Sequence, residues 1–226
     1  MNVAVIPARG GSKRIPRKNI RMFANQPIIA WSISTAKESG CFERIVVSTD
    51  DREIARIAKE QGAEVPFLRS KSLSSDFVGI AEVMAHAVKS LKLSCSTAVC
   101  CIFATAPLLA SKDLEEGLNR LLESGSTFVI PITTFSYPID RALSYLPNGK
   151  ISMRDSEMYK FRSQDLSEAW HDAGQFYWAL AQDWKENAQI FGDGAIGLPI
   201  PRSRVQDIDT IEDWAHAEAM FKALKG

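Results

Sequence analysis

The chain has 226 residues and 25.0 kDa, with 46% hydrophobic and 24% charged residues, enough for one substantial core and a small appended element. Lys+Arg and Asp+Glu both number 27, so no global field draws the chain to nucleic acid or to an anionic membrane. Cys41, Cys95, Cys100 and Cys101 lack C-x-x-C spacing, and neither a signal-type h-region nor a membrane-length apolar run occurs, so a reducing cytoplasm is the expected compartment.

In chain order, Val3 to Ile6 predicts a buried strand that breaks at Pro7. A loop follows with adjacent glycines, Gly10 and Gly11, and with Arg9, Lys13, Arg14, Arg17 and Lys18 inside ten residues. Five cations so close repel one another unless something anionic lies among them, and a polyphosphate held by the loop's backbone N–H groups would serve. The alternative is a solvated basic loop, because basic tracts are frequent and loosely specific; neither common phosphate fingerprint is present, so a nucleotide here would be bound in another way. Pro27 opens a helix with Ile28, Ile29, Trp31, Ile33 and Ala36 inward, closed by Gly40. A strand at 44–49 ends at Asp50 and Asp51, and a helix over 52–61 turns Ile54, Ala55, Ile57 and Ala58 inward. A brief strand at 64–68 leads into the polar loop Arg69–Asp76, then a helix over 77–92, a fully buried strand at 97–103, a helix at 111–123 and a strand at 127–132.

This alternation predicts an α/β fold, a mainly parallel sheet with helices on both faces, within a single domain spanning 1–226. Right-handed crossovers would bring the loops that begin at Pro7, Asp50, Arg69 and Ala104 to one sheet edge. From 133 to 170 the rhythm changes to Pro-interrupted chain, and Asn148-Gly149 predicts a small hairpin. Its apolar residues need covering by the parent domain or by a second copy, so a symmetric homodimer is expected. Residues 175–180 read as an aromatic strand, and Trp170, Phe176, Tyr177 and Trp178 as packing groups rather than an RNA platform. A short helix with Trp184 and an apolar segment at 195–200 come next. The last helix, Thr210 to Lys222, has Thr210 and Asp213 in capping-box spacing and Ile211, Trp214, Ala215 and Ala219 as its expected packing face.

Asp207 and Asp209 alternate along an extended segment, so both carboxylates face one point, and a hard cation such as Mg²⁺ would relieve their repulsion. Alternatively Asp209 caps the last helix and Asp207 is solvated. With a cationic loop on an α/β sheet, the pair points to metal-assisted chemistry on a nucleoside triphosphate.

Over almost its whole length the sequence resembles the CMP-sialic acid synthetase family of cytidylyltransferases, most closely its pseudaminic acid branch. The residues that carry this are VIPARGGSKRIPRKNI at the start, RIVVSTDD at 44–51, FLRSKSLSSD at 67–76, ATAPL at 104–108 and DIDT at 207–210. The resemblance implies a Rossmann-like nucleotidyltransferase fold with a dimerisation excursion at 133–170, and transfer of CMP from CTP to the anomeric hydroxyl of a nonulosonic acid with release of pyrophosphate. It implies that Arg9, Gly10, Gly11, Ser12 and Lys13 hold the nucleotide, that Lys18 and Asn19 lie near phosphates and nucleoside, and that Arg69, with Asp76 in the same loop, lies near the cytosine. Asp207 and Asp209 would carry Mg²⁺, and Arg9 and Lys18 would join them as catalytic residues. Thr105 of the ATAP run, Phe103, His171 and a partner-directed Arg162 would face the sugar.

Sialic acid members carry a glutamine where this chain has Phe103 and arginines at Leu109 and His171. Losing those donors implies a more apolar pocket, suited to a deoxy, diacylamino sugar such as pseudaminic acid. An N-acylneuraminate or legionaminate enzyme, or a catalytically silent CTP-binding module, are the alternatives. Phe103 could instead be plain core, and His171 a hydrogen-bonded structural group.

Overall fold

The computed structural model describes residues 1–225. Its strands are β1 (Asn2–Pro7), β2 (Met22–Phe23), β3 (Gln26–Pro27), β4 (Arg44–Ser48), β5 (Ala98–Ile102), β6 (Phe128–Thr134), β7 (Leu143–Tyr145), β8 (Ile151–Met153), β9 (Trp170–Asp172), β10 (Phe176–Leu180) and β11 (Ala195–Pro199). Its helices are α1 (Ile28–Glu38), α2 (Arg52–Glu60), α3 (Ile80–Ser90), α4 (Ser111–Ser124), α5 (Ala181–Lys185) and α6 (Ile211–Lys225). Seven strands form the main sheet, with path β11-β6-β10-β5-β1-β4 and β9 beside β6.

β1 is parallel to β4 and β5, and β6 is parallel to β11, as the alternating pattern requires. The exceptions are β10, which runs antiparallel between β5 and β6, and β9, antiparallel beside β6. β9 and β10 lie along β6 as one strand interrupted at Ala173–Gln175, where Gly174 takes φ +62°. After the interruption β10 is inserted between β6 and β5 and pairs with both, and bulges of this kind re-aim side chains at the ends of sheets.

Both faces of the sheet are buried because alternate strand residues feed two cores. Ala4, Ile6, Cys100, Ile102, Phe176 and Trp178 pack under α1, α2 and α4. Val3, Val5, Val99, Cys101, Tyr177 and Ala179 pack under α3 and α5. The aromatic stretch is therefore the centre of the sheet. Gly117 of α4 is required by this packing, since a Cβ there would stand 2.7 Å from the Trp178 ring.

Four expectations change. The 64–68 strand is reduced to two parallel bridges beside β4, because Pro66 has no N–H for a ladder. Helix 77–92 begins only at Ile80, where the Gly79 N–H donates to Glu82. Pro27 lies just outside α1, with ψ 136°. The buried face of α6 is Trp214, Ala217 and Phe221; Ile211, Ala215 and Ala219 are exposed, because α6 packs on Ile15, Phe23, Ile28, Leu108 and Ile208 at the loop end of the sheet. The capping box forms as expected: Asp213 accepts from the Thr210 N–H at 2.7 Å, and Thr210 Oγ1 from the Asp213 N–H at 3.2 Å. The hairpin forms too, as β7 pairs with β8 across Gly149 at φ +78°.

Candidate active site

The loops after β1 and β5 and the segment from Arg69 into α3 surround a cleft of about 530 Å³ at one edge of the sheet. Its lining brings together Arg9, Ser12, Lys13, Lys18, Asn19, Arg69, Asp76, Phe103 and Thr105. Every one of these was expected from the sequence. Arg14, another of the five cations of the first loop, lines the cleft too. The stretch Leu73–Ser75 also lines it and was not singled out; a polar loop with no periodicity carries no signal of which side chains turn inward.

The cations of the first loop are each matched by a carboxylate of the protein itself. Asp76 reaches across the cleft to Arg9 Nη1 at 2.7 Å and Lys13 Nζ at 2.5 Å, and the Lys13 hydrogen bond holds its carboxyl below the usual range. Asp209 Oδ1 accepts from Arg14 at 2.8 Å and lies 3.3 Å from Lys18 Nζ. Arg17 is bound by Asp51 and Glu53. The repulsion expected among these cations is thus already offset within the fold.

Gly10 and Gly11 do not line the cleft. The Gly10 N–H donates to Asp50 Oδ1 at 3.0 Å, and a Cβ on Gly10 would come within 2.6 Å of Asp51 Oδ2, so this glycine serves a close approach between two loops. Asn19 Nδ2 donates to the Arg9 carbonyl at 2.9 Å and fixes the loop from behind.

Arg69 is buried, donates from Nε to Ser74 Oγ at 3.0 Å and leaves Nη1 without a hydrogen-bond partner. Burial lowers its pKa from the ordinary arginine value, against the opposing pull of Asp50. A buried guanidinium with a spare donor on a cleft wall is an acceptor-binding group awaiting an acceptor.

Lys18 joins the cleft to the aspartates: Nζ donates to the Ile208 carbonyl at 2.6 Å. Asp207 reaches solvent, but the protein around it, and secondarily the charge of Asp209, raise its pKa above the usual carboxylate range while Lys18 opposes the rise. A carboxylate pair in this state suits a hard divalent cation. Among the described residues no set of three or more His, Cys, Asp or Glu side chains converges as metal ligands, so two carboxylates would be the protein's share.

Phe103, at the end of β5, stands edge-on to Tyr177 at 5.2 Å and lines the cleft, and the Ser32 hydroxyl donates to its carbonyl at 2.8 Å. His171 and Arg162 are not in this cleft. His171 belongs to a second one beyond β6, and Arg162 is exposed on the excursion, paired with Asp165.

The cytidylyltransferase family pattern matches residues 3–190. The chain is 43% identical over 223 residues to a pseudaminic acid cytidylyltransferase of Campylobacter jejuni, covering 98% of this chain and 96% of the relative. It is 31% identical to a CMP-N,N'-diacetyllegionaminic acid synthase of Legionella pneumophila, covering 97% and 96%. A CMP:2-keto-3-deoxy-manno-octonic acid synthetase solved with CTP shares the fold, with TM-score 0.74 and 13% identity over 99% of this chain and 100% of that one.

Proposed function

Because the chain belongs to the cytidylyltransferase family, we propose that it transfers CMP from CTP to a nonulosonic acid, pseudaminic acid before others. The observation that carries this is Lys18, which lines the cationic cleft and at the same time touches Asp209 and the Ile208 carbonyl. It puts the anion-holding wall and the carboxylate pair within one side chain's reach.

The anomeric oxygen of the acceptor attacks the α-phosphorus. A new O–P bond forms, the bond from that phosphorus to the β-phosphate bridge oxygen breaks, and the electron pair leaves with pyrophosphate. The hydroxyl's proton goes to solvent. Arg9, Lys13 and Lys18 offset the triphosphate charge, and Arg69 gives its unpartnered Nη1 to the nucleotide. Asp207 and Asp209 would hold Mg²⁺, which when bound supplies positive charge against the phosphate. In this reading the enzyme is cytoplasmic, where CTP is made available, and is a homodimer joined through residues 133–170, which would carry Arg162 to the neighbour's site.

Purified protein with CTP, Mg²⁺ and pseudaminic, legionaminic and N-acetylneuraminic acids should release pyrophosphate fastest with the first. Phe103 and His171 stand where sialic acid members have polar donors; if unpaired hydroxyls govern the choice, the gap could reach about 10⁴, against roughly 10–200-fold for one methyl's worth of apolar contact. Equal or better turnover of N-acetylneuraminic acid would remove the pseudaminic assignment and leave cytidylyl transfer standing. Asp209→Asn should lower kcat by at least about 100-fold while CTP still binds.

A further inference from the structure

Arg14 lines the cleft beside Lys13 and Lys18, yet the reaction above gives it no part. Its one ion pair among the described residues is with Asp209, whose Oδ1 lies 2.8 Å from Arg14 Nη2. The same oxygen lies 3.3 Å from Lys18 Nζ. Two cations therefore share one carboxylate oxygen, while Asp207, the other member of the pair, makes no ion pair among the described residues. Asp213 feels the charge of Arg14 only secondarily to its own cap hydrogen bonds.

The two cations differ in what holds them. Lys18 is 20% exposed and its Nζ also donates to the Ile208 carbonyl at 2.6 Å, so it is fixed in place. Arg14 is 68% exposed and has no second hydrogen-bond partner among the described residues. An ion pair that open to water holds its long side chain weakly. Asp209 cannot follow it, since the Asp209 N–H is tied to Asp213 Oδ2 at 3.1 Å. Arg14 is thus the member free to leave, and the cleft it lines is where a triphosphate would offer it another anion. A divalent cation on the carboxylate pair competes with Arg14 for Asp209, because positive charge repels positive charge.

Resting on the CTP reading proposed above, we infer that Arg14 is a positioning residue for Asp209 that couples nucleotide binding to metal binding. Without nucleotide it occupies Asp209 Oδ1 and weakens the hold of the carboxylate pair on a divalent cation. With a triphosphate in the cleft it passes to a phosphate oxygen and frees Asp209, while Lys18 stays. No covalent bond changes; one ion pair is exchanged for another. Coupling of this kind is reciprocal, so a cation on the pair also strengthens the nucleotide. The nucleotide therefore loads before or with the metal.

The test reads Mn²⁺ binding by the paramagnetic resonance of the free ion, at low salt and without nucleotide. Arg14→Gln should bind Mn²⁺ about two- to fivefold more tightly than wild type, the size expected of an exposed ion pair. Lys13→Gln removes the same charge from the same loop but is paired with Asp76, so it should shift Mn²⁺ binding by less than about 1.5-fold. Adding Asp209→Asn to Arg14→Gln should abolish the gain. No gain in Arg14→Gln, or an equal gain in Lys13→Gln, would overturn the proposal. Calorimetry with CTP and saturating Mg²⁺ reads the other half. Arg14→Gln should weaken CTP about two- to fivefold, and Arg14→Lys, which keeps the charge, should recover most of that loss. Unchanged CTP affinity in Arg14→Gln would mean that Arg14 does not pass to the nucleotide, and the coupling falls. If both halves come out as expected while wild-type protein transfers no CMP to any nonulosonic acid, the coupling stands and the transfer reading falls; turnover without the Mn²⁺ gain gives the reverse.

Discussion

Asp76 contradicts a simple phosphate-loop picture. Its carboxylate holds Arg9 and Lys13 in the place where a polyphosphate would need them, so an incoming nucleotide has to displace it. The residue is solvent-facing and the pairs are screened, so the competition is mild. Asp76→Asn should tighten CTP binding by no more than about fivefold, most at low salt; weaker binding in the variant would mean that Asp76 contacts the nucleotide itself. Asp51 is a structural counterpart. It caps α2 by accepting from the Glu53 and Ile54 N–H groups and also binds Arg17, whose hydrogen bond holds the Asp51 pKa below its ordinary value. Asp51→Ala should cost about 1–2 kcal/mol in urea unfolding at pH 7. A carboxyl with a depressed native pKa contributes fully above its unfolded value of about 3.9 and loses that contribution as pH falls through the native one. The gap between variant and wild type should therefore narrow in acid.

Between elements, the segment that carries Asp207 and Asp209 is tied down from behind. Arg204 makes a two-pronged, largely buried ion pair with Asp113 in the first turn of α4. Its carbonyl accepts from Gln175 Nε2 at 2.5 Å, and the Gln175 carbonyl accepts from the Phe103 N–H at 2.9 Å. One chain of bonds thus links α4, the bulge between β9 and β10, the end of β5 and residues 204–209. Asp113→Ala leaves the Arg204 charge buried and should cost about 3–5 kcal/mol. The double change Asp113→Leu with Arg204→Met should restore most of that, since a buried pair replaced on both sides by apolar groups is often neutral. Denaturant midpoints of the three proteins decide it.

At the scale of the molecule, the excursion is the part a single chain leaves uncovered. Tyr137 is 84% exposed, Tyr145 79% and Ile151 64%, while β7 and β8 pair only with each other. Apolar groups gathered on a two-stranded ribbon are not stable in water without a cover, and a two-fold partner offers an identical face. Light scattering at micromolar concentration should give twice 25.0 kDa, and Tyr145→Asp with Ile151→Asp should give the monomer mass. A monomeric wild type would end the dimer proposal.

By itself the sequence determined what periodicity and loop chemistry encode. Buried-on-both-faces strands, amphipathic helices and glycine stops placed the α/β alternation to within a few residues, and with it the edge where Arg9, Lys18, Arg69, Phe103 and Thr105 meet. Strand direction lay outside that information: FYWAL reads as a strand in either sense, and it runs antiparallel because the chain comes back along β6 from the excursion, as β9 and then β10, with no crossover helix between. The partners of charged groups were equally hidden. Asp76 and Asp209 lie far along the chain from the cations they neutralise, and pairing at such separation is fixed by how loops cross at the sheet edge. His171 shows the same limit, since its place in the second cleft depends on Thr133, Arg202 and His216, which three separate elements bring together. Local pattern sets which residues are inward and which are loop; only packing of the whole chain sets which loop residues face one another.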